Sequence, residues 1–221
     1  MTETFESCDV AIAGGGPAGA VAAMMLARAG VRVILLEKAT HPRFHIGESF
    51  LPYNLVLLQQ LGLEPALRRL PHVRKFGAEL AMGDGKRSTT FVFPEWWSPS
   101  TETFNIERAV FDHMLLCEAR KSGADVREQT AVKQILKLTD GDVRLETEAG
   151  DIRAKYLIDA SGQATLVGRH LGTRSNVPEK HLNNVAYFGH YENVYRLSGN
   201  EEGHPYIVMC DEGWFWMINI D

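Results

Sequence analysis

The sequence has few cysteines and no long apolar run, and each absence excludes a class of protein. Cys8, Cys117 and Cys210 are odd in number and widely spaced. This argues against a disulfide framework or a paired-cysteine metal site, and it predicts a cytoplasmic location. No run of about 18 apolar residues is present, so no membrane-spanning helix is expected. The N-terminal segment MTETFESCDV lacks the basic and apolar stretches of a secretory signal.

Positive charge is not concentrated anywhere along the chain. Lys and Arg total 23 against 28 Asp and Glu, a formal net charge of −5. With no basic cluster, a nucleic-acid partner is not expected. The histidines do not show metal-binding spacing, so no metal site is predicted. The 221 residues, 45% hydrophobic and 23% charged, are instead typical of a globular protein with one or two domains.

The first forty residues predict a βαβ unit. Residues 9–13 form a short apolar run, and residues 17–29 form a helix rich in small side chains. Gly30 ends that helix, and residues 31–36 are apolar and β-branched, as in a buried parallel strand.

The rest of the chain alternates helical and strand patterns. Helices are predicted within 46–70 and over 109–121, and strand pairs are predicted around the turns at 83–85 and 140–142. A further strand ends at Asp159, and the chain after residue 180 is β-like at 185–191, 206–210 and 214–220. The pattern predicts an α/β nucleotide-binding layer into which β hairpins are inserted.

Gly14, Gly16 and Gly19 satisfy the GxGxxG pattern between the first predicted strand and its helix. Gly14 permits a tight turn, Gly16 permits a close approach of a pyrophosphate, and Gly19 permits helix and sheet to pack closely. Glu37 ends the second strand, where it is placed to accept hydrogen bonds from a ribose. The helix N-terminus suits phosphates. The cofactor-binding prediction also includes Pro17 and Ala18 at the helix start and Lys38 after Glu37. The alternative is a glycine-rich turn with a surface glutamate.

Four segments, in order, resemble the superfamily of FAD-dependent halogenases, aromatic monooxygenases and geranylgeranyl-reductase-like enzymes. GGGPAG resembles the opening of these proteins, and HPRFHIGESFLP resembles their "PRxxIGESLLP" stretch. NIERAVFD resembles "VxRxxFD", and YLIDASG resembles their "DASG" strand end. The resemblance implies FAD as the cofactor and a Rossmann-like FAD-binding layer followed by the beginning of a β-rich substrate domain.

The resemblance also implies roles for matched positions. Arg43 and Ser49 are expected along the cofactor, and Arg108 is expected to contact FAD from the start of its helix. The backbone of Val132 is expected near the adenine, and Asp159 and Gly162 are expected to close over the nucleotide end. Alternatives remain open, because both arginines are compatible with ordinary surface positions. Asp159 is equally compatible with a helix N-cap near Gln163.

Two features resemble halogenases more narrowly. Lys75 lies in a "KxGA"-like context, where halogenases place a lysine that captures or positions hypohalous acid; the alternative is a solvated lysine at a strand start. Trp214 and Trp216 match the tryptophans of "WxWxIP", which obstruct substrate approach to the flavin. They are equally compatible with an aromatic core face, since alternate residues of a strand share a face. Asn219 departs from that motif, which has proline there.

The resemblance implies an FAD-dependent oxidoreductase. It would activate O2 through a reduced-flavin hydroperoxide and oxygenate or halogenate a small aromatic substrate, with a flavin reductase or NAD(P)H supplying electrons. The alternatives are an alkene reductase similar to geranylgeranyl reductase and an inactive FAD- or ADP-binding fragment. The expected domains are an FAD-binding domain, 1–75 with 104–175, and a partial substrate domain, 76–103 with 176–221. The sequence has no "GDAA"-type segment, which these proteins carry further along the chain, so we expect it to be the N-terminal part of a larger enzyme.

Overall fold

The computed structural model describes residues 5–179, 182 and 184–220. The chain forms two compact units: unit 1 comprises residues up to 43 and residues 112–188, and unit 2 comprises residues 44–111 and those from 189 onward. In chain order the elements are β1 (Glu6–Ala13), α1 (Pro17–Arg28), β2 (Val33–Leu36), α2 (Pro52–Gln60), α3 (Glu64–Leu67), β3 (Val73–Lys75), β4 (Gly77–Met82), β5 (Ser88–Val92), β6 (Thr103–Asn105), α4 (Arg108–Lys121), β7 (Asp125–Arg127), β8 (Val132–Thr139), β9 (Asp142–Thr147), β10 (Ile152–Asp159), α5 (Leu166–His170), β11 (Tyr206–Cys210) and β12 (Gly213–Met217).

Unit 1 contains a six-stranded sheet in the order β7-β2-β1-β10-β9-β8. The first four strands of that order are parallel, and β9 and β8 continue the sheet in antiparallel pairing. Ala13 pairs in register with both Leu36 and Asp159. The carboxyl ends of β1, β2 and β10 therefore meet at one edge. The predicted βαβ unit and Rossmann-like α/β layer are confirmed.

The centre of unit 1 is built from short and branched apolar side chains. Ala11, Ile12 and Leu35 are fully buried, as expected for parallel strands covered on both faces. The buried face of α1 consists of small residues and one methionine, which lets the helix approach the sheet closely. On this scaffold the turn between β1 and α1 is held against the sheet edge.

Unit 2 contains a four-stranded sheet in the order β12-β11-β4-β5 and a separate β3–β6 pair. β11 pairs in parallel with β4, and the remaining pairs are antiparallel. Asn105 at the end of β6 is fully buried, and its Nδ2 donates to the Gly203 carbonyl over 2.8 Å. This bond joins two segments that are far apart in the chain.

The helices predicted within 46–70 are α2 and α3, and they are separated at Gly62, which adopts a left-handed φ of 72°. One local prediction differs from the structure. The β-like pattern at 185–191 was wrong, because this segment forms no strand. Val185 and Tyr187 are 76% and 95% exposed, and no described strand pairs with their backbone. A β-rich composition therefore did not suffice to make a strand.

The compact units divide the chain at other points than the predicted domains. Residues 44–75 and 104–111 belong to unit 2 because β3 pairs with β6 and α2 packs on β6. The assignment of cofactor binding and substrate binding to separate domains stays a prediction. Within the described residues, no helix combines the length and the apolar character needed to cross a membrane.

The close packing of α1 makes a stability prediction. A Cβ at Gly19 would lie 1.9 Å from the backbone oxygen of Gly14. We expect Gly19→Ala to lower the free energy of unfolding by about 2 kcal/mol or more, measured by chemical denaturation. Gly168→Ala is the control, because a Cβ there meets Thr165 at an ordinary 3.6 Å within helix α5. Equal stability of Gly19→Ala and the wild type would contradict the packing argument.

Candidate functional site

The glycine turn and the segment after β10 meet at the carboxyl edge of the unit 1 sheet. The Gly14 amide donates to the Leu36 carbonyl over 2.8 Å, and the Ala160 amide donates to the Ala13 carbonyl over 2.9 Å. Gly14 has a φ of 109°, and a Cβ there would lie 2.4 Å from the Ala160 oxygen. Only glycine fits at this position. The first and the last of the four resemblance segments, GGGPAG and YLIDASG, both lie in unit 1, and these contacts bring them together.

Gly16 is different, because the protein itself leaves room for a side chain there. Its backbone is extended, with φ −70° and ψ −177°, a conformation open to any residue. A Cβ would meet only Nη2 of Arg43, at 3.9 Å. Gly16 precedes α1, Pro17 is the first helical residue, and no side chain caps the helix. The exposed Ala18 continues this N-terminus. An uncapped helix start beside open space is suited to an anion.

Glu37 lies at the same edge with its carboxylate buried. Oε2 accepts a hydrogen bond from the Gly15 amide over 2.7 Å, and Oε1 accepts one from the Ala39 amide over 2.8 Å. Each carboxylate oxygen can accept a second bond, so capacity remains for a ribose hydroxyl. The exposed Lys38 follows it. The Glu37 carbonyl accepts from the Thr130 amide, two residues before Val132 at the start of β8.

Arg43 approaches this site in a setting that the sequence reasoning did not identify. Its Nε lies 3.9 Å from Glu37 Oε1, and its Nη1 lies 3.8 Å from Oδ2 of the fully buried Asp112. The side chain of His41 is also buried, with Nε2 4.0 Å from Glu37 Oε2. Burial, reinforced by the Arg43 charge, lowers the pKa of His41. Asp112 ends the NIERAVFD segment, which is the one sequence signal that could have pointed to it.

Asp159 forms local backbone hydrogen bonds, but it is not the N-cap of a helix near Gln163, because no side chain caps the helical turn at 162–164. Its Oδ2 accepts from the Val167 amide over 2.8 Å at the start of α5, and its Oδ1 accepts from the Ser161 amide over 3.0 Å. Burial opposes ionisation, but the bonds from Ser161 and Val167 prevail and lower the pKa of Asp159. Gly162 has a left-handed φ of 61°. A contact of either residue with a cofactor stays a prediction.

Lys75 and Ser49 are brought together within unit 2. The ammonium Nζ of Lys75 donates to Ser49 Oγ and to the Phe50 carbonyl, each over 2.9 Å. Nζ also lies 5.2 Å from the centre of the Phe93 ring. The residue is only 4% exposed, so it is not a solvated lysine at a strand start. Burial lowers the pKa of Lys75 to about 8.

The remaining predicted residues also lie in unit 2. Arg108 begins α4 and donates from Nη1 to the Ile46 carbonyl over 3.1 Å, so it contacts the IGES segment. Trp214 and Trp216 on β12 are 53% and 54% exposed, so they do not form an aromatic core face in the described chain. Asn219 donates from Nδ2 to the Glu202 carbonyl over 2.6 Å, a bond that a proline cannot make.

The geometry of unit 1 can be compared with known families. The model of the family described as "FAD binding domain" matches residues 7–215. The chain belongs to this FAD-binding domain family. Its glycine turn, uncapped helix and Glu37 are thereby placed in a family whose cofactor is FAD.

Several proteins to which the chain is similar are halogenases. The chain is 35% identical to the flavin-dependent halogenase armH3 of Armillaria mellea, over 96% of this chain and 44% of that protein. It is 30% identical to the 1H-pyrrole-2-carbonyl-[peptidyl-carrier protein] chlorinase of Pseudomonas fluorescens, over 96% and 53%. The myxobacterial chondrochloren halogenase CndH matches in structure with a TM-score of 0.84 and 33% identity, over 98% and 51%. The chain spans about half the length of these relatives. Because the relatives are halogenases, they do not favour the alkene-reductase alternative or the inactive-fragment alternative.

The residues of this FAD-binding chain fit the cofactor. The open position at Gly16 and the uncapped N-terminus of α1 suit the pyrophosphate, and Arg43 offers a guanidinium within reach of that position. Glu37 retains acceptor capacity for the ribose.

The contrast between Gly16 and Gly19 predicts separate effects on binding and stability. We expect Gly16→Ala to weaken FAD binding at least tenfold, because its methyl group occupies the space of a pyrophosphate, while the unfolding midpoint without FAD is unchanged. Fluorescence titration with FAD measures the first quantity, and thermal unfolding measures the second. Undiminished FAD affinity in Gly16→Ala would place the pyrophosphate elsewhere.

The buried His41 predicts a pH-dependent stability. Its pKa is lowered in the folded state from an ordinary value of 6.5, so the unfolded chain binds more protons below that pH. We therefore expect stability to fall as the pH decreases from about 7 to about 5, and His41→Gln to reduce this dependence. Chemical denaturation at several pH values is the measurement. His170→Gln, at an exposed position of unit 1, serves as control. An identical slope in His41→Gln and the wild type would contradict this origin of the pH dependence.

Proposed function

We propose that this protein acts as an FAD-dependent halogenase on a small aromatic substrate. The observation that carries the proposal is the buried amine of Lys75, held by Ser49 and Phe50 in a chain of the FAD-binding family. The relatives named above are halogenases, which supports the same activity. Direct oxygenation of the substrate is the other outcome of the same O2 chemistry, and the experiment below separates the two.

Burial gives the Lys75 amine the properties that this reaction needs. At a pKa of about 8, roughly one amine in ten is neutral at pH 7. For an ordinary lysine the neutral fraction is roughly one in a few thousand. The same nitrogen thus donates hydrogen bonds as an ammonium and can accept one as a neutral amine. Because Nζ is shielded from water, a hypohalous acid bound there is protected from loss to solvent.

FAD, when bound in reduced form, supplies with O2 the two-electron oxidation of halide. The overall balance is substrate C–H, halide, one proton, O2 and reduced FAD giving substrate C–halogen, oxidised FAD and two waters. The chain contributes the pyrophosphate-binding turn at Gly16, the ribose acceptor Glu37 and the Arg43 guanidinium. Lys75 holds the hypohalous acid through Nζ and keeps a proton available to its oxygen.

The proposal includes an electron source and a location. A flavin reductase or NAD(P)H would reduce the cofactor, and Trp214 and Trp216 are the proposed barrier between substrate and flavin. The aromatic acceptor is proposed to be either free or attached to a carrier, as the name of the Pseudomonas relative indicates for that protein. Cys8, Cys117 and Cys210 are free thiols, which supports the proposed cytoplasmic location.

Halogenation by the FAD-loaded protein tests the proposal directly. The protein is supplied with NADH, a flavin reductase, O2, chloride or bromide and a panel of phenols and pyrroles, and products are identified by mass spectrometry. We expect Lys75→Met to reduce halogenated product at least about 100-fold while FAD stays bound, because proton transfer by a placed side chain contributes on this scale.

Lys86→Met is the matched control, since Lys86 lies exposed in the turn between β4 and β5. Halogenated product at wild-type levels from Lys75→Met would remove the lysine from the mechanism. A hydroxylated product from the wild type in the presence of halide would identify a monooxygenase instead.

A further inference from the structure

The amine of Lys75 contacts three groups within unit 2. Two of its N–H groups donate to Ser49 Oγ and the Phe50 carbonyl, and the centre of the Phe93 ring lies 5.2 Å from Nζ. An ammonium has three N–H groups, so these two hydrogen bonds leave one for the hypohalous acid. The described ion pairs include none at Lys75, so the charge of the amine is balanced by dipoles and a ring rather than by a carboxylate.

The backbone fixes both sides of this contact. Lys75 pairs in register with Thr103 across the β3–β6 ladder, and Ser49 forms an antiparallel bridge with Asn105 of the same β6 strand. Ser49 and Lys75 are therefore held on opposite sides of one strand. Their side chains meet over 2.9 Å between Nζ and Oγ.

Phe50 is equally well anchored. Its amide donates to the Phe104 carbonyl over 3.1 Å, and its ring stacks on Phe104 with centres 4.7 Å apart. The Phe111 ring lies 4.8 Å from it on another side. The Phe50 carbonyl is consequently a fixed acceptor, and a carbonyl can only accept.

Ser49 is chemically different from the other two partners. A hydroxyl accepts a hydrogen bond from an ammonium and, after rotating, donates one to the lone pair of a neutral amine. Neither the Phe50 carbonyl nor the Phe93 ring face can donate to that lone pair. Ser49 is thus the partner that fits both protonation states of Nζ at one position.

We propose that Ser49 is a positioning residue for Lys75. The Ser49 hydroxyl keeps the Lys75 Nζ at one position during halogenation, in both the charged and the neutral form of the amine. The role rests on the proposed function. It differs from the cofactor contact that the family resemblance implies for Ser49, because here the residue acts through the lysine amine. A buried amine that must alternate between two protonation states gains from a partner that can reverse its own hydrogen bond.

The titration of the amine tests this proposal without relying on turnover. The protein is prepared with 13Cε-labelled lysine, the Lys75 signal is assigned by its absence in Lys75→Arg, and the signal is followed against pH by NMR. An ammonium loses more than a neutral amine when an acceptor is removed, so we expect Ser49→Ala to lower the pKa of Lys75 by about one unit. Ser49→Thr keeps the hydroxyl and is expected to stay close to the wild type.

The pH profile of halogenation is measured on the same variants. We expect the limb that follows Lys75 to move down in pH with Ser49→Ala and to be restored with Ser49→Thr. Ser88→Ala, an exposed serine of β5, is the control and should change neither quantity. Thermal unfolding establishes that each variant is folded, and Ser49→Cys replaces Ser49→Ala if the alanine variant is not.

The outcomes separate the two proposals. An unchanged Lys75 titration in Ser49→Ala overturns the positioning role, and so does a shifted titration with a wild-type pH profile. Halogenated product from the wild type in those cases leaves the proposed function standing. A wild-type protein that binds FAD but forms no halogenated product overturns the function, and the positioning role for halogenation with it.

Discussion

Two glycines without a Cβ, Gly14 and Gly19, allow close backbone packing at the carboxyl edge of the unit 1 sheet. Gly14 lies so near the backbone of Ala160, and Gly19 so near the backbone of Gly14, that one added methyl group at either position would overlap a carbonyl. This contact places the segment after β10 against the turn after β1. The start of α1 and the carboxylate of Glu37 then face the same edge, where ligands of open α/β sheets bind. The candidate cofactor site therefore depends on the absence of a side chain at Gly14 and Gly19.

Unit 2 contains a second constraint, which is the desolvation of one amine. Burying a lysine costs free energy unless its donors find partners, and Lys75 obtains two strong acceptors and an aromatic face. The partners are supplied by a strand ladder and by aromatic stacking, both of which are rigid. The lowered pKa of the Lys75 amine thus results from burial within ordinary secondary structure. Among the described residues, no carboxylate forms an ion pair with it.

Local signals account for what was predictable from the sequence. The glycine pattern, the Gly–Asp–Gly and Asp–Gly–Asp turns and the helical spacing of apolar residues act over a few residues, and the corresponding helices and strands are present in the structure. Long-range packing accounts for the rest. The burial of His41 and Asp112, the contact between Ser49 and Lys75 and the exposure of Tyr187 depend on segments remote in sequence. Asp159 bonds the amides of Ser161 and Val167 rather than capping a helix near Gln163, since the start of α5 at Leu166 depends on how the chain turns after β10.

The order of the chain has a consequence for how this protein is made. β1 occupies residues 6–13 and pairs with β10 at residues 152–159, while β4 at residues 77–82 pairs with β11 at residues 206–210. During translation, β1 and β4 are synthesised long before their partner strands β10 and β11, so these early strands are unpaired until then. Such non-local pairing slows folding. The four consecutive apolar residues of β2 are all buried in the folded sheet. Before the sheet forms they are exposed, which makes this segment a candidate for chaperone binding.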